Sequence, residues 1–269
     1  TANVERANEF EFAAFEEDAV DSMVDQVGYK WHIEIMNQIY RNILGGDQYI
    51  IAARPGKGKT SFITHLNYAM SKDMADNKII VWFNNESTKK RIMSRQIQSA
   101  LGATNKELFE LRNAGKLTEN YIAAMGSLDR VRVYDIHGKN NKYIEDILES
   151  IGADNIGAII FDMLDNVKFP TKDGTREDQR LEQLYQWSRE LAVKYNCPSF
   201  PTFPPESMLK DSKTGKQGAC DGIVMIGSSH DPLLFQKRGL SMPKTKSKRE
   251  GENDMREEIL FDADRGRYI

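Results

Sequence analysis

Short apolar runs alternate along the chain with longer stretches in which apolar residues recur every three or four positions. This is the pattern of a parallel α/β sheet with helices on its faces. Residues 49–53, 79–83, 131–134 and 157–161 predict strands, and 222–226 and 258–261 predict two later ones. Helices are expected over 60–71, 88–101, onward in segments to 124, then over 141–150 and 178–195. The run 157–161 is apolar throughout, as a central strand covered on both faces requires. Before the first strand, Trp31, Ile35 and Ile39 recur at helical spacing, predicting a helix over 30–42 that stops at Gly45 and Gly46.

Residues 1–29 differ from the rest. Glu5, Glu9, Glu11, Glu16, Glu17, Asp18, Asp21 and Asp25 are interleaved with Phe10, Phe12, Phe15, Val20 and Val24. The segment reads as an amphipathic helix whose apolar stripe has no partner within a self-contained domain, hence as an arm that docks on a neighbouring subunit. The expected organisation is an arm over 1–29 and one catalytic domain over 30–269.

Composition narrows the function. With 40% hydrophobic residues, 29% charged and 12 Phe, the chain is too apolar to be disordered. A net charge of −3 excludes a protein coated all round in basic charge, so any nucleic-acid contact must be local. Cys197 and Cys220 are far apart without ligand spacing and read as core thiols of a reducing compartment. No apolar run approaches the roughly 20 residues that cross a bilayer, and the acidic start is unlike a signal peptide. A cytoplasmic protein without a membrane partner is expected. The chain begins with Thr1, as a processed product or a piece of a longer protein would.

The strongest chemical signal follows the first strand, where Arg54-Pro55-Gly56-Lys57-Gly58-Lys59-Thr60-Ser61 leads into Phe62, Ile63, Leu66 and Met70 at helical spacing. A strand, a glycine-bearing turn and a helix start form the context in which a phosphate-binding loop is credible. Backbone N–H groups at such a helix start converge on phosphate oxygens, aided by the positive end of the helix dipole. Lys59 is positioned to reach the β and γ phosphates of ATP or another NTP, and the Thr60 hydroxyl to complete a Mg²⁺ shell. Mg²⁺ also needs a carboxylate at the end of a neighbouring buried strand, and Asp162 closes 157–161. Hydrolysis needs a group to polarise water, and Glu86 closes the strand 79–83, facing the crevice beyond the strand ends. Taken singly, Asp162 has the alternative reading of a strand-closing turn residue and Glu86 that of a helix N-terminal acid, each the lesser of its two readings.

Together these residues resemble the RecA-like ATPase domain of DnaB-type hexameric replicative helicases, most closely those encoded by bacteriophages. That family often has Ala-Arg-Pro before its Gly-Lys-Thr, as Ala53-Arg54-Pro55 stand here; Trp82-Phe83-Asn84-Asn85-Glu86 is similar to its catalytic-glutamate strand, and Phe161-Asp162-Met163-Leu164-Asp165 to its Walker B segment. The resemblance covers about residues 30–268. It implies a channel loop over 212–221 in which Lys213, Thr214, Gly215 and Lys216, with Lys210 just before it, grip single-stranded DNA without reading bases. A second channel loop would carry Arg176 and Arg180, and Lys244-Thr245-Lys246 would reach the neighbouring subunit's nucleotide. The implied protein is an ATP-driven helicase working as a homo-oligomeric ring, by that likeness a hexamer, and a primase partner or a primase preceding Thr1 is left open. Two departures stand out. Phe200-Pro201-Thr202-Phe203-Pro204-Pro205 occupies the place of the family's Ser-Gln pair, and the finger carries lysines where many relatives have arginine, with Arg249 and Arg256 as nearby substitutes. They make a nucleotide-gated ring subunit without turnover a further reading, and the same fold also leaves open a RecA- or RadA-like strand-binding recombinase.

Overall fold

The computed structural model describes residues 27–171, 174–203, 220–229, 231–246 and 255–269. Residues 1–26 of the acidic arm lie outside the described residues, as do Lys210, Lys213, Thr214, Gly215, Lys216 and Arg249.

Five strands form a parallel core: β1 (Tyr49–Ala53), β2 (Ile79–Asn84), β3 (Val131–Asp135), β4 (Ile156–Asp162) and β5 (Ser199–Phe203). A sixth, β6 (Gly222–Ser228), adds parallel to β1, and β7 (Lys237–Thr245), β8 (Arg256–Asp262) and β9 (Arg267–Tyr268) continue antiparallel, giving the order β3-β2-β4-β5-β1-β6-β7-β8-β9. Every residue of β1, β2 and β4 is buried, and successive side chains feed opposite faces. Ile80, Trp82 and Ile160 pack with Phe62, Ile63, Leu66 and Met70 of α2 (Lys59–Asp73) and Ile92 of α3 (Lys89–Leu101). Val81, Phe83, Ile159 and Phe161 pack on the other face with Ile144 and Leu148 of α6 (Asn141–Ile151) and Leu184, Tyr185 and Trp187 of α7 (Glu177–Lys194). Two short helices, α4 (Asn105–Asn113) and α5 (Leu117–Met125), extend beyond α3. The mostly parallel α/β architecture expected from the residue pattern is thus present, and all parallel strands end at one edge, where the candidate site lies.

The chain departs from the sequence expectation in three places. The helix expected over 30–42 shrinks to α1 (Glu34–Ile39). Asn37 uses its side chain to accept the Trp31 N–H at 2.8 Å and donate to the Trp31 carbonyl at 3.0 Å, while Tyr29 pairs antiparallel with Ile43, so the ends of the segment fold into a loop rather than extending the helix. The central strand β5 has no counterpart in the residue pattern, because Pro198 and Pro201 argue against a ladder position. It is held by short ladders, with Ile159, Ile160 and Phe161 on one side and Ile51 and Ala52 on the other. The long strand β7 is the third difference; its polar residues and Pro243 hide a strand that belongs to the antiparallel extension rather than to the apolar centre.

Arg130 shows how the first crossover is tied down. It is almost wholly buried, and its guanidinium donates to the carbonyls of Met125, Ala75 and Lys78, satisfying the end of α5 and the turn before β2.

Candidate functional site

Beyond the C-terminal end of β1 the chain turns through Arg54–Gly58, closed by the Lys57 N–H donating to the Arg54 carbonyl at 3.1 Å. Gly58 caps α2 in the left-handed region at φ 108°, and a Cβ there would collide with the Tyr268 hydroxyl. That hydroxyl donates to the Gly58 carbonyl at 3.0 Å, so the last strand braces the turn. With no acidic residue in its first turn, α2 leaves its N–H groups and dipole facing an opening of about 730 Å³. Arg54, Pro55, Gly56, Gly58, Lys59, Thr60, Ser61 and Glu86 line it, while Lys57 and Asp162 do not.

Lys59 is the centre of the arrangement. It is 8% exposed, and its ammonium lies 3.0 Å from Glu86 Oε2, 3.9 Å from Asp162 Oδ1 and 3.1 Å from Met163 Sδ. Strands β1, β2 and β4 therefore bring together the three charged groups expected from the sequence. Asn84 fixes the turn that carries Glu86: its side-chain oxygen accepts the N–H groups of Glu86 and Ser87, and its amide donates to the Ser87 carbonyl and to Asp135. Asp162 is 1% exposed. Burial pushes its carboxyl above the usual range; Lys59 opposes this, Glu86 adds to it, and the Thr202 hydroxyl and Arg95 oppose it further. Its Oδ2 is buried without a hydrogen-bond partner among the described residues. An orphaned carboxylate oxygen near the strand end, with the Thr60 hydroxyl at the helix start, fits the donor set that Mg²⁺ takes around nucleotide phosphates.

Several residues of this site carry no signal in the sequence. Arg91 and Arg95 of α3, Lys106 of α4 and Arg238 of β7 also line the opening, making its wall strongly basic. Arg91 and Arg95 are four apart and so share a helix face, a spacing visible in the sequence. Nothing in one sequence says that this face turns toward the loop.

Tyr268 also donates its backbone N–H to His65 Nδ1 at 3.1 Å, and His32 packs edge-on against Phe62 and His65. Burial favours the neutral form of both rings. Burial holds His32 well below the ordinary histidine range and brings His65 down to about 4, with Arg267 and Lys72 adding to the latter shift. A group whose folded pKa lies below its unfolded value binds protons more readily when unfolded, so stability falls as pH drops from the unfolded value of 6.5 toward 4. At pH 5 His65 alone is expected to cost about 2 kcal/mol relative to pH 7. His65→Gln retains an acceptor for Tyr268 and should lose this part of the acid sensitivity in thermal melts. An unchanged slope between pH 7 and 5 would remove His65 as its source.

The remaining candidates lie elsewhere. Arg176 pairs with Asp178 at 2.8 Å and is largely exposed. Arg180 is engaged by Glu177 and by the carbonyls of Asp165 and Val167, so its guanidinium ties the turn after β4 to α7. Lys244 lies in β7 opposite Ile223, and Lys246 follows that strand, pairing with Asp221 of its own chain at 3.1 Å. Arg256 starts β8 and is exposed. Arg176, Arg180, Lys246 and Arg256 do not line the opening.

The family model of the DnaB-like helicase C terminal domain matches residues 28–198, more than half of the chain. The chain belongs to this family. As a DnaB-like domain it superposes on a solved structure described as an ATPase domain with a TM-score of 0.74 and 16% identity, over 96% of this chain and 99% of that one. A second solved structure, "The Structure Of A DnaB-Like Replicative Helicase And Its Interactions With Primase", gives a TM-score of 0.74 and 15% identity over 99% of this chain and 70% of that one. No curated protein matches in sequence. At these identities the structural likeness carries the fold, and the RecA-like ATPase fold expected for the DnaB-like domain is the one present. Among the described residues no helix is long and apolar enough to cross a membrane.

Proposed function

We propose that this DnaB-like domain is a Mg²⁺-dependent ATPase that assembles into a ring, most simply of six copies, moves along single-stranded DNA and unwinds duplex in the cytoplasm during replication. The observation that carries the reading is Lys59, buried at the helix start between Glu86 and Asp162. Arg54 to Ser61 cradle the triphosphate, with Gly56 and Gly58 allowing close backbone approach and Lys59 pairing with its terminal oxygens. Thr60 and Asp162 would hold Mg²⁺, which when bound would neutralise charge developing on the phosphates. Glu86 orients and polarises the attacking water. In the structure Glu86 holds Lys59, so an incoming phosphate takes over the lysine and leaves the carboxylate to the water. Arg91 and Arg95 add positive charge on the same wall.

Assembly completes the site. Lys244 or Lys246 serves the neighbour's nucleotide; Lys246 is half exposed, and buried Asp221 keeps its pair with Arg189 at 3.2 Å when Lys246 leaves. The arm over 1–29 docks its apolar stripe on the adjacent copy; Phe109 of α4 and Ile122 of α5 are exposed apolar side chains suited to receive it. Lys210, Lys213, Thr214, Gly215 and Lys216 line the channel, with Arg176 and Arg180 in secondary roles. A primase is a partner class to test, since one solved relative is described with it.

Phosphate release with and without single-stranded DNA, run beside strand displacement on a forked duplex, tests the reading. The expected result is ATP- and Mg²⁺-dependent release of one strand. Hydrolysis and DNA binding with no strand released would point instead to a strand-binding recombinase, and background turnover equal to that of Glu86→Gln to a nucleotide-gated ring subunit.

A further inference from the structure

Thr202 lies near the end of β5, the strand inserted between β4 and β1, and is fully buried. It pairs with Ile51 in β1, while its neighbour Pro201 pairs with Phe161 of β4, which sets Thr202 level with Asp162. Phe200 packs on the side of the sheet that carries α2 and Phe203 on the other, so alternation turns Thr202 toward α2 and the phosphate loop. The hydroxyl makes two bonds. It accepts the Met163 N–H at 2.9 Å and donates to Asp162 Oδ1 at 3.0 Å. A hydroxyl has one proton, and here its direction is set: the N–H occupies a lone pair, so the proton goes to the carboxylate.

Two consequences converge on Lys59. Oδ1 is committed to Thr202, and Oδ2 is the oxygen left buried without a partner among the described residues. Met163 is held with φ 59° and ψ 62°, left-handed backbone that a non-glycine residue rarely adopts, and its Sδ is placed 3.1 Å from the Lys59 ammonium. One side chain therefore orients both groups that flank the lysine on the β4 side.

We propose that Thr202 is a positioning residue of the nucleotide site, engaging one oxygen of Asp162 so that the other would be left for the Mg²⁺ of a bound Mg²⁺–nucleotide. The inference rests on the reading that Asp162 serves that ion. Thr202→Val keeps the shape and removes the hydroxyl, leaving Asp162 free to rotate and the Met163 N–H unpaired. The test is equilibrium binding of a fluorescent, slowly hydrolysed ATP analogue to the full chain, across a Mg²⁺ titration and in EDTA. Loss of an outer-shell partner commonly weakens metal affinity about 10- to 100-fold. Thr202→Val is expected to raise the Mg²⁺ concentration that half-saturates binding about 10-fold, with affinity in EDTA within about two-fold of wild type, and Thr202→Ser should restore the wild-type value. Thr202→Ala, which also lacks the hydroxyl, carries the same expectation should the valine fail to fold. A wild-type Mg²⁺ dependence in either hydroxyl-free variant, or a serine variant as impaired as the valine one, overturns the proposal. A wild-type protein that binds the analogue equally in Mg²⁺ and EDTA would instead defeat the reading of Asp162 itself.

Discussion

Glu86→Gln is expected to lower the ATPase rate about 1,000-fold while leaving nucleotide binding intact. A positioned general base contributes typically about 10²- to 10⁴-fold, and glutamine keeps the shape of the side chain but neither accepts a proton nor carries the charge that polarises water. The geometry adds a sharper expectation for binding. Glu86 lies 3.0 Å from the Lys59 ammonium, and the carboxylate competes with phosphate for that cation. Removing the charge frees Lys59, so affinity for a nonhydrolysable analogue should equal or exceed that of the wild type. Lys59→Ala behaves oppositely, since it deletes the phosphate contact and strands Asp162, which is 1% exposed, without its nearest cation. Steady-state phosphate release and analogue titration on both variants separate the two roles. A glutamine variant with turnover within about three-fold of wild type would remove Glu86 from the chemistry, whatever its effect on binding.

The same residues show what a single sequence discloses. Lys59, Glu86 and Asp162 are legible because each stands just beyond or at the C-terminal end of an apolar run, and parallel strands bring those ends to one edge whatever the rest of the chain does. The elements that stay illegible have local chemistry that contradicts their place. Pro201 reads as a break and occupies a central strand, so Thr202 cannot be seen facing Asp162. Asn37 bonds back to Trp31 and so holds the residues before Glu34 out of the helix, a competition between side chain and backbone that apolar spacing does not record. Contacts between distant parts of the chain are hidden for a different reason. Tyr268 reaches Gly58 and His65 across most of the sequence, and the basic face of α3 meets the phosphate loop only after the sheet has formed. Periodicity tells which residues share a face, and tertiary packing decides what the face meets.

Replacing Lys210, Lys213 and Lys216 together by alanine is expected to weaken single-stranded DNA binding about 100-fold at 0.1 M salt. Charge rather than shape sets this expectation. The chain has a net charge of −3, so it binds a polyanion through a local concentration of cations, and these three lysines cluster in and just before the segment that resembles the channel loop. Each phosphate neutralised on a single strand steepens the fall of log affinity with log salt by about 0.7 through counterion release. Three fewer contacts in one engaged subunit flatten the slope by about 2, and at 0.1 M that slope is equivalent to about two decades of affinity. Salt dependence is therefore the diagnostic, because a folding defect lowers affinity without changing the slope. Hydrolysis without DNA should stay near wild type, since none of the three lysines belongs to the phosphate loop or to the strand ends that carry Glu86 and Asp162, while stimulation by DNA should disappear. A single substitution elsewhere provides the control: Arg130 is buried and held by three carbonyls, so Arg130→Ala should cost stability and leave the salt slope nearly unchanged. An unaltered slope in the triple-lysine variant, with the protein folded and assembled, would move the DNA contacts to another surface and leave the nucleotide site without its proposed channel.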